Sequence, residues 1–276
     1  MTLLPTKLST TLDFIRFEGI RNLKRPKLML WMLLELKPAS LFVSAIDTLL
    51  RPKTPVAKAL SERRRVYLRE LMHDIFGIFL DGEVPTDLLS GDYTQIPGFF
   101  KGVTEAIDAG ATIGDFSLFL VLRNRVAHVT AFEPNPSSFK YLVRNIQSNG
   151  CVTSVTPINH GVSDKSGEEV FSTRQEYFVP RNHGPSQQTA VECVRIDDLH
   201  FPSPLDLIKI DVEGSEDKAL KGAVQTLRRF KPRLIIEVHT QEKMMRVMSV
   251  LLPLGYQLAH EKINQVNPRV SVLYLR

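Results

Sequence analysis

The chain has little cysteine and no long apolar run, and both absences narrow its class. Its two cysteines, Cys151 and Cys193, are far from any C-x-x-C spacing, so we interpret them as plain buried thiols and exclude a cysteine-rich zinc site. The most apolar early stretch, residues 28–36, is interrupted by Glu35 and is too short to span a membrane. No small-x-small pattern closes it as a secretory cleavage site would. We therefore predict a cytoplasmic protein.

The charge is also unevenly distributed. Residues 1–80 carry 14 Lys and Arg against 7 Asp and Glu, whereas residues 81–276 carry 21 against 23. The basic residues of the first segment are scattered among apolar ones and form no nucleic-acid-binding stripe, so we expect no nucleic-acid partner. A solvated helix face is the favoured interpretation, and membrane contact through these basic helices is the alternative.

Two regions follow from the hydrophobic periodicity. Residues 1–102 are predicted as a helical N-terminal extension and connector, with helices over 7–20, 26–36, 40–50 and 56–78 and an irregular segment over 80–102. Residues 103–276 alternate short apolar runs with helical stretches. This order predicts an α/β domain with a doubly wound, seven-stranded, mostly parallel sheet, closed at one edge by a hairpin.

The first strand of this domain ends in a glycine turn. Asp108, Gly110 and Gly114 form a D-x-G-x-x-x-G pattern, which lets the backbone approach a ligand closely. Glu133 follows the second strand, where a carboxylate can accept hydrogen bonds from both hydroxyls of a ribose. Thr112 breaks the denser glycine motif of phosphate-rich dinucleotides, which favours methyl transfer from S-adenosylmethionine over hydride transfer. A simple tight turn, with Glu133 beside a helix N-cap, remains the alternative.

The fourth and fifth strands place charged side chains at their carboxyl ends. Lys209, Asp211, Glu213 and Glu216 follow one another on the fourth, and Glu237 and His239 lie on the fifth. Carboxylates and a histidine at one edge can deprotonate a hydroxyl or hold a divalent cation. Structural ion pairing of Lys209 is the alternative.

A polar stretch at residues 171–189 has the length of a substrate loop or lid and contains His183 as a candidate base. An exposed surface hairpin is the alternative.

These motifs resemble one known family. DAGATIG, AFEPNPSSFKYLVRNI, GVSDKSGE, VECVRIDDL, LIKIDVEGSEDKALKGA and RLIIEVH are similar to segments of the FkbM-type methyltransferases, over about residues 103–276 and in the family's order. The resemblance implies a Rossmann-like class I methyltransferase fold with S-adenosylmethionine as cofactor. Family members often have Asn where this chain has Thr112.

The resemblance also assigns roles to residues. It places Asp108, Gly110, Thr112 and Gly114 around the methionine part of the cofactor, Glu133 and Asn135 at the ribose, and Ser163 and Asp164 at the adenine. Asp211, Glu237 and His239 are the candidate catalytic residues. A divalent metal is kept open but is not part of the prediction.

We therefore expect O-methylation of a small-molecule acceptor, a sugar or another natural product. N-methylation of a related metabolite and a catalytically silent binding module are the alternatives. A nicotinamide-dependent oxidoreductase does not fit the glycine pattern. A homo-oligomer is left open.

Overall fold

The computed structural model describes residues 55–85, 87–174, 177–179, 187–201, 203–263 and 270–276. The chain divides into two compact units, Met1–Gly77 and Ile78–Arg276. The described part of the first unit contains helix α1 (Pro55–Phe76), which confirms the helix predicted over 56–78. The other three predicted helices lie outside the described residues. Our division of the chain after residue 102 stays a prediction.

The second unit alternates strands and helices. Its elements in chain order are α2 (Asp87–Ser90), β1 (Glu105–Ala109), α3 (Asp115–Asn124), β2 (His128–Phe132), α4 (Pro136–Ser148), β3 (Val155–Ile158), β4 (Gly161–Val162), β5 (Gly167–Arg174), β6 (Tyr177–Val179), β7 (Gln187–Val194), β8 (Leu207–Ile210), α5 (Glu216–Lys221), α6 (Val224–Phe230), β9 (Arg233–Val238), α7 (Gln241–Leu251), β10 (Leu258–Ile263) and β11 (Ser271–Leu275).

The main sheet has seven strands in the order β10-β11-β9-β8-β1-β2-β3. The five strands from β9 to β3 in this order are parallel, and β11 is antiparallel to both β9 and β10. Helices cover a core in which the residues of β1, β8 and β11 are all buried and most of those of β9 are, which explains why β8 and β9 are nearly continuous apolar runs. The predicted seven-stranded, mostly parallel sheet with a terminal hairpin is confirmed.

The register brings the ends of four strands to one edge of this sheet. Ala109 at the end of β1 is level with Phe132 in β2 and Ile210 in β8, and Ile210 is level with Ile236 in β9. The residues that follow these positions therefore meet at the carboxyl edge, where open α/β sheets bind ligands.

A second sheet was not expected from the sequence. It has four strands in the order β4-β7-β5-β6. The predicted third strand, residues 155–162, ends early at Ile158, and Gly161–Val162 pairs instead with β7. Asn159 lies at this break, and its side-chain amide donates to the backbone oxygen of Glu133 at 2.7 Å.

The helix predicted over 216–230 is divided at Gly222 into α5 and α6. A Cβ atom at Gly222 would lie 2.0 Å from the backbone oxygen of Ser163. The backbone at Gly222 therefore lies so close to the backbone at Ser163 that only glycine fits at position 222.

Candidate active site

The glycine turn after β1 needs its glycines for two different contacts. Gly110 has a φ of +81°, and a Cβ atom there would lie 1.7 Å from the backbone oxygen of Asp211. Gly114 has a φ of +88°, and its Cβ atom would lie 2.6 Å from a methyl carbon of Leu142. Both positions have a left-handed backbone, and at Gly110 the neighbouring backbone also leaves no room for a side chain. The turn therefore lies directly against the end of β8 and against α4.

Thr112 is held in a conformation that threonine rarely adopts. Its φ is +52°, in the left-handed region that disfavours β-branched residues. Its backbone N–H donates to Glu133 Oε2 at 2.8 Å. Asparagine, which tolerates this region better, would fit the same backbone.

Glu133 is fixed by backbone groups at the end of β2. Oε1 accepts from the N–H of Asn135 and Oε2 from the N–H of Thr112, both at 2.8 Å. Burial raises the pKa of Glu133 to about 7, although the two amides act in the opposite direction. Asn135 caps α4 by accepting from the N–H groups of Ser137 and Ser138. The carboxylate therefore has a fixed orientation, and each oxygen keeps a second lone pair for a ligand hydroxyl.

Lys209 connects the two sides of the site. Its ammonium donates to the backbone oxygen of Gly110 at 2.8 Å and lies 3.3 Å from Asp108 Oδ1 and 3.5 Å from Asp211 Oδ2. Burial alone would lower the pKa of Lys209, but the two carboxylates outweigh it and hold the pKa above its usual range. Asp108 is fully buried and also accepts from the Ser117 hydroxyl at 2.7 Å. Asp108 therefore acts on the turn through Lys209.

Asp211, Glu237 and His239 lie together, as predicted from their strands. His239 Nε2 lies 3.6 Å from Glu237 Oε1, and one ligand atom from each of the three residues falls within 4.8 Å of the others. Burial and the neighbouring Asp211 raise the pKa of Glu237 above its usual range. Burial would lower the pKa of His239, but the carboxylates of Glu216 and Glu213 outweigh it and raise the pKa. The group can therefore hold and exchange protons near neutral pH and above.

The same three side chains have the spacing of a divalent-cation site. Asp211 Oδ2, however, is already contacted by the Tyr93 hydroxyl at 3.0 Å and by the Lys209 ammonium at 3.5 Å. A cation would have to compete with both. The arrangement therefore offers two kinds of chemistry, proton transfer and the binding of a divalent cation in competition with Tyr93 and Lys209.

A pocket opens between these groups at the carboxyl edge. It is partly open to solvent, and its lining is mostly apolar with several polar groups. Five predicted site residues line it, namely Gly110, Thr112, Glu133, Asn135 and Asp211. The other predicted residues are not among those that line it, namely Asp108, Gly114, Ser163, Asp164, Glu237 and His239.

Ser163 and Asp164 were predicted to face the adenine, and Ser163 forms a hydrogen bond within the protein. Ser163 is buried and its hydroxyl donates to Glu169 in β5, while His160, Gly161 and Val162 of the same connection line the pocket.

The pocket wall includes apolar residues from outside the main sheet, Phe171 in β5 and Val191 in β7. Phe171 begins the stretch predicted as a substrate loop, whereas sequence reasoning missed Val191 and Tyr93. Tyr93, in the irregular segment before β1, reaches Asp211 and Glu237. Alternation of apolar residues along 189–194 would have indicated the strand β7, whereas nothing near Tyr93 in the sequence indicates its contacts.

The polar stretch at 171–189 is strand in its described parts. Residues 171–174 belong to β5, 177–179 are β6 and 187–189 begin β7. These residues form antiparallel pairs, as the hairpin alternative expected. His183 lies outside the described residues. Among the described helices, none combines the length and apolar character that crossing a bilayer requires.

The comparison with protein families gives one match over most of the second unit. The family model "Methyltransferase FkbM domain" matches residues 108–258. Two curated proteins are similar to parts of the chain. Methyltransferase sdnD of Sordaria araneosa is 24% identical over 207 residues, which cover 62% of this chain and 80% of that protein. Hexuronic acid methyltransferase AglP of Haloferax volcanii is 30% identical over 138 residues, which cover 48% of this chain and 54% of that protein.

A solved structure agrees with the fold. The human methyltransferase 10 domain containing protein superposes with a TM-score of 0.52 at 14% identity, and the match covers 82% of this chain and 98% of that one.

Proposed function

The chain belongs to the FkbM methyltransferase family, and from that premise we propose that it transfers a methyl group from S-adenosylmethionine to a hydroxyl oxygen of a small molecule. The observation that carries the proposal is the position of Glu133 beside the Gly110 turn, at the same sheet edge as Asp211 and Glu237. The same edge thus offers a hydrogen-bond acceptor for ribose hydroxyls, a glycine turn packed closely on the backbone of Asp211, and a proton acceptor.

The residues present fit a nucleoside without phosphates. Gly110 and Thr112 of the turn line the pocket together with Glu133. Glu133 presents a fixed carboxylate to ribose hydroxyls, and Val162, Phe171 and Val191 offer apolar surface to a base. When bound, S-adenosylmethionine would supply an electrophilic methyl group on a sulfonium centre.

The carboxylates and His239 would act on the acceptor. The group formed by Asp211, Glu237 and His239 would take up the proton that the acceptor hydroxyl loses when it is methylated. Lys209 would hold Asp211 and the glycine turn at a fixed distance from each other during this step. Alignment of the reacting atoms contributes much of the rate.

A sugar is the acceptor class that we favour. The relative from Haloferax volcanii is named a hexuronic acid methyltransferase, and the site contains several groups that can bond hydroxyls. Transfer to nitrogen is the second candidate, since the glycine turn and Glu133 would serve either acceptor. Cytoplasmic residence stays a prediction.

The test is transfer of a radiolabelled methyl group from S-adenosylmethionine to a matched panel. The panel contains a methyl glucoside, a methyl glucuronide, a hydroxylated polyketide and an amino sugar. We expect label in a hydroxyl acceptor, stable to mild base as an ether is. Label only in the amine, or no label together with no binding of S-adenosylhomocysteine to folded protein, would contradict the proposal.

A further inference from the structure

The segment before β1 is anchored on the main sheet by contacts distant in sequence. The Tyr274 hydroxyl in β11 donates to the backbone oxygen of Asp92 at 2.5 Å and accepts from the N–H of Gln95 at 3.1 Å. Arg233 in β9 donates to the backbone oxygen of Lys101 at 3.0 Å. We call residues 87–101 the anchored segment. It precedes the part of the chain that the family model matches.

Tyr93 is the residue of the anchored segment that enters the site. It is 2% exposed, and its hydroxyl lies 3.0 Å from Asp211 Oδ2 and 3.2 Å from Glu237 Oε2. Its ring packs edge-on against Phe116, with centroids 5.2 Å apart, and faces the Lys209 ammonium at 5.4 Å. Packing therefore holds the ring in place, and Tyr93 contacts the two carboxyl groups through its hydroxyl.

A tyrosine hydroxyl has one proton and can also accept. Two carboxyl oxygens at hydrogen-bond distance from it are both satisfied when one accepts the hydroxyl proton and the other, protonated, donates to the hydroxyl oxygen. We propose that Tyr93 is a positioning residue that bridges Asp211 and Glu237, so that the two carboxyl groups share one proton and act as a single proton acceptor. This role rests on the proposed methyl transfer to a hydroxyl.

The surroundings of the bridge are mostly acidic. The charged and titratable groups that act on it are Asp87 in α2, Asp108 in β1, Asp115 in α3, Lys209 in β8, Glu213 and Glu216 after β8, and His239 after β9. Two of these nine groups, counting Asp211 and Glu237, are basic. Two full negative charges at the bridge would therefore repel each other and their neighbours, and a shared proton relieves that repulsion.

The test compares Tyr93→Phe with Tyr256→Phe. The Tyr93 change removes the hydroxyl and keeps the packed ring. Tyr256 is also buried, and its hydroxyl donates to the backbone oxygen of Pro232 before β9, at the opposite end of that strand. The full chain, labelled with carbon-13 at the Asp and Glu carboxyl groups, is titrated by NMR. Asp211→Asn and Glu237→Gln assign the two signals.

We expect the wild-type pair to titrate in two steps, with both residues responding in each. In Tyr93→Phe the first step moves up by about one pH unit or more, because an ionised carboxylate loses a donor. In Tyr256→Phe it stays unchanged. Independent single-step titrations of Asp211 and Glu237 in the wild type, or midpoints in Tyr93→Phe that match those in Tyr256→Phe, would overturn the proposal.

Binding of S-adenosylhomocysteine to three proteins, the wild type, Tyr93→Phe and Tyr256→Phe, separates this inference from the proposed function. We expect equal affinity in all three, because Tyr93 is not among the residues that line the pocket. If folded wild-type protein does not bind S-adenosylhomocysteine, the proposed function is rejected, and the titration still decides the role of Tyr93. Where an acceptor is identified, Tyr93→Phe should lower kcat at least about ten-fold with KM for the cofactor unchanged.

Discussion

The carboxyl edge of the sheet has two neighbouring halves that are built in different ways. The turn edge, formed by Gly110, Thr112 and Glu133, is held by backbone amides and left-handed backbone conformations. The carboxylate edge, formed by Asp211, Glu237 and His239, is held by contacts among charged side chains and by Tyr93. Lys209 connects the two.

The two halves also differ in how far apart in the sequence their contacting residues lie. The turn edge takes its hydrogen bonds to Glu133 from residues that directly follow β1 and β2, although the turn also packs against the residue after β8. The carboxylate edge needs β8, β9 and a tyrosine that lies 118 residues before Asp211. We therefore expect substitutions to separate the halves, with cofactor binding on one side and the chemical step on the other.

The largest effect is expected for Gly110→Ala on the turn edge. The new Cβ atom would overlap the backbone oxygen of Asp211, since they would lie 1.7 Å apart. We expect the free energy of unfolding to fall by about 3 kcal/mol or more, measured by chemical denaturation. Gly150→Ala is the control, because it has a similar φ of +67° with open space around it and should cost about 1 kcal/mol. Equal losses would show that the close approach does not exist.

The next effect concerns the carboxylate edge alone. Glu237→Gln removes a proton acceptor without changing the shape of the side chain, so methyl transfer should slow by about 100-fold or more. The measurement is kcat with the acceptor found by the labelled-methyl panel. Glu242→Gln, an exposed carboxylate in α7, is the matched control and should retain activity. An unchanged rate in Glu237→Gln would remove Glu237 from the chemical step.

A smaller effect concerns the charge of Glu133. Burial raises the pKa of Glu133 to about 7, so its carboxylate form is present above pH 7 and is lost as the pH falls through 7. If ribose hydroxyls bind the carboxylate, affinity for S-adenosylhomocysteine should fall about ten-fold from pH 8 to pH 6. Calorimetry measures this. Glu133→Gln should bind more weakly and lose this part of the pH dependence, and an identical pH dependence in both proteins would contradict the assignment.

The smallest effect is expected for Thr112→Asn. Thr112 has a φ of +52°, which asparagine adopts at lower cost than a β-branched residue. Denaturation should show a gain of about 1 kcal/mol in the free energy of unfolding. Thr130→Asn, in β2, is a comparison at an extended backbone position and should give no gain. A loss at Thr112 would mean that its side chain contributes more than its backbone strain costs.

The main seven-stranded sheet could be predicted from the sequence because its signals are local, whereas the second, four-stranded sheet could not. Apolar runs such as residues 207–210 and 233–238 mark buried parallel strands, and Pro136 after the capping Asn135 marks the start of α4. The turn edge was predicted for the same reason, since the glycine pattern and Glu133 directly follow their strands.

The rest could not be predicted, because it depends on contacts between distant residues. Tyr93 lies in a segment without periodicity, and only the folded chain shows that Tyr274 and Arg233 fix that segment beside the site. Likewise, the break after Ile158 coincides with a hydrogen bond from the Asn159 side chain to the backbone oxygen of Glu133. No pattern within a short window carries either contact.

The most direct test of the account is calorimetric titration of S-adenosylhomocysteine into the wild type, Glu133→Ala and Glu237→Gln. The account predicts one-site binding to the wild type, an affinity loss of about 1–3 kcal/mol in Glu133→Ala from lost hydrogen bonds, and no loss in Glu237→Gln. Equal losses in both variants would contradict the division of the site into two halves. An absence of binding in folded wild-type protein would contradict the proposed cofactor itself.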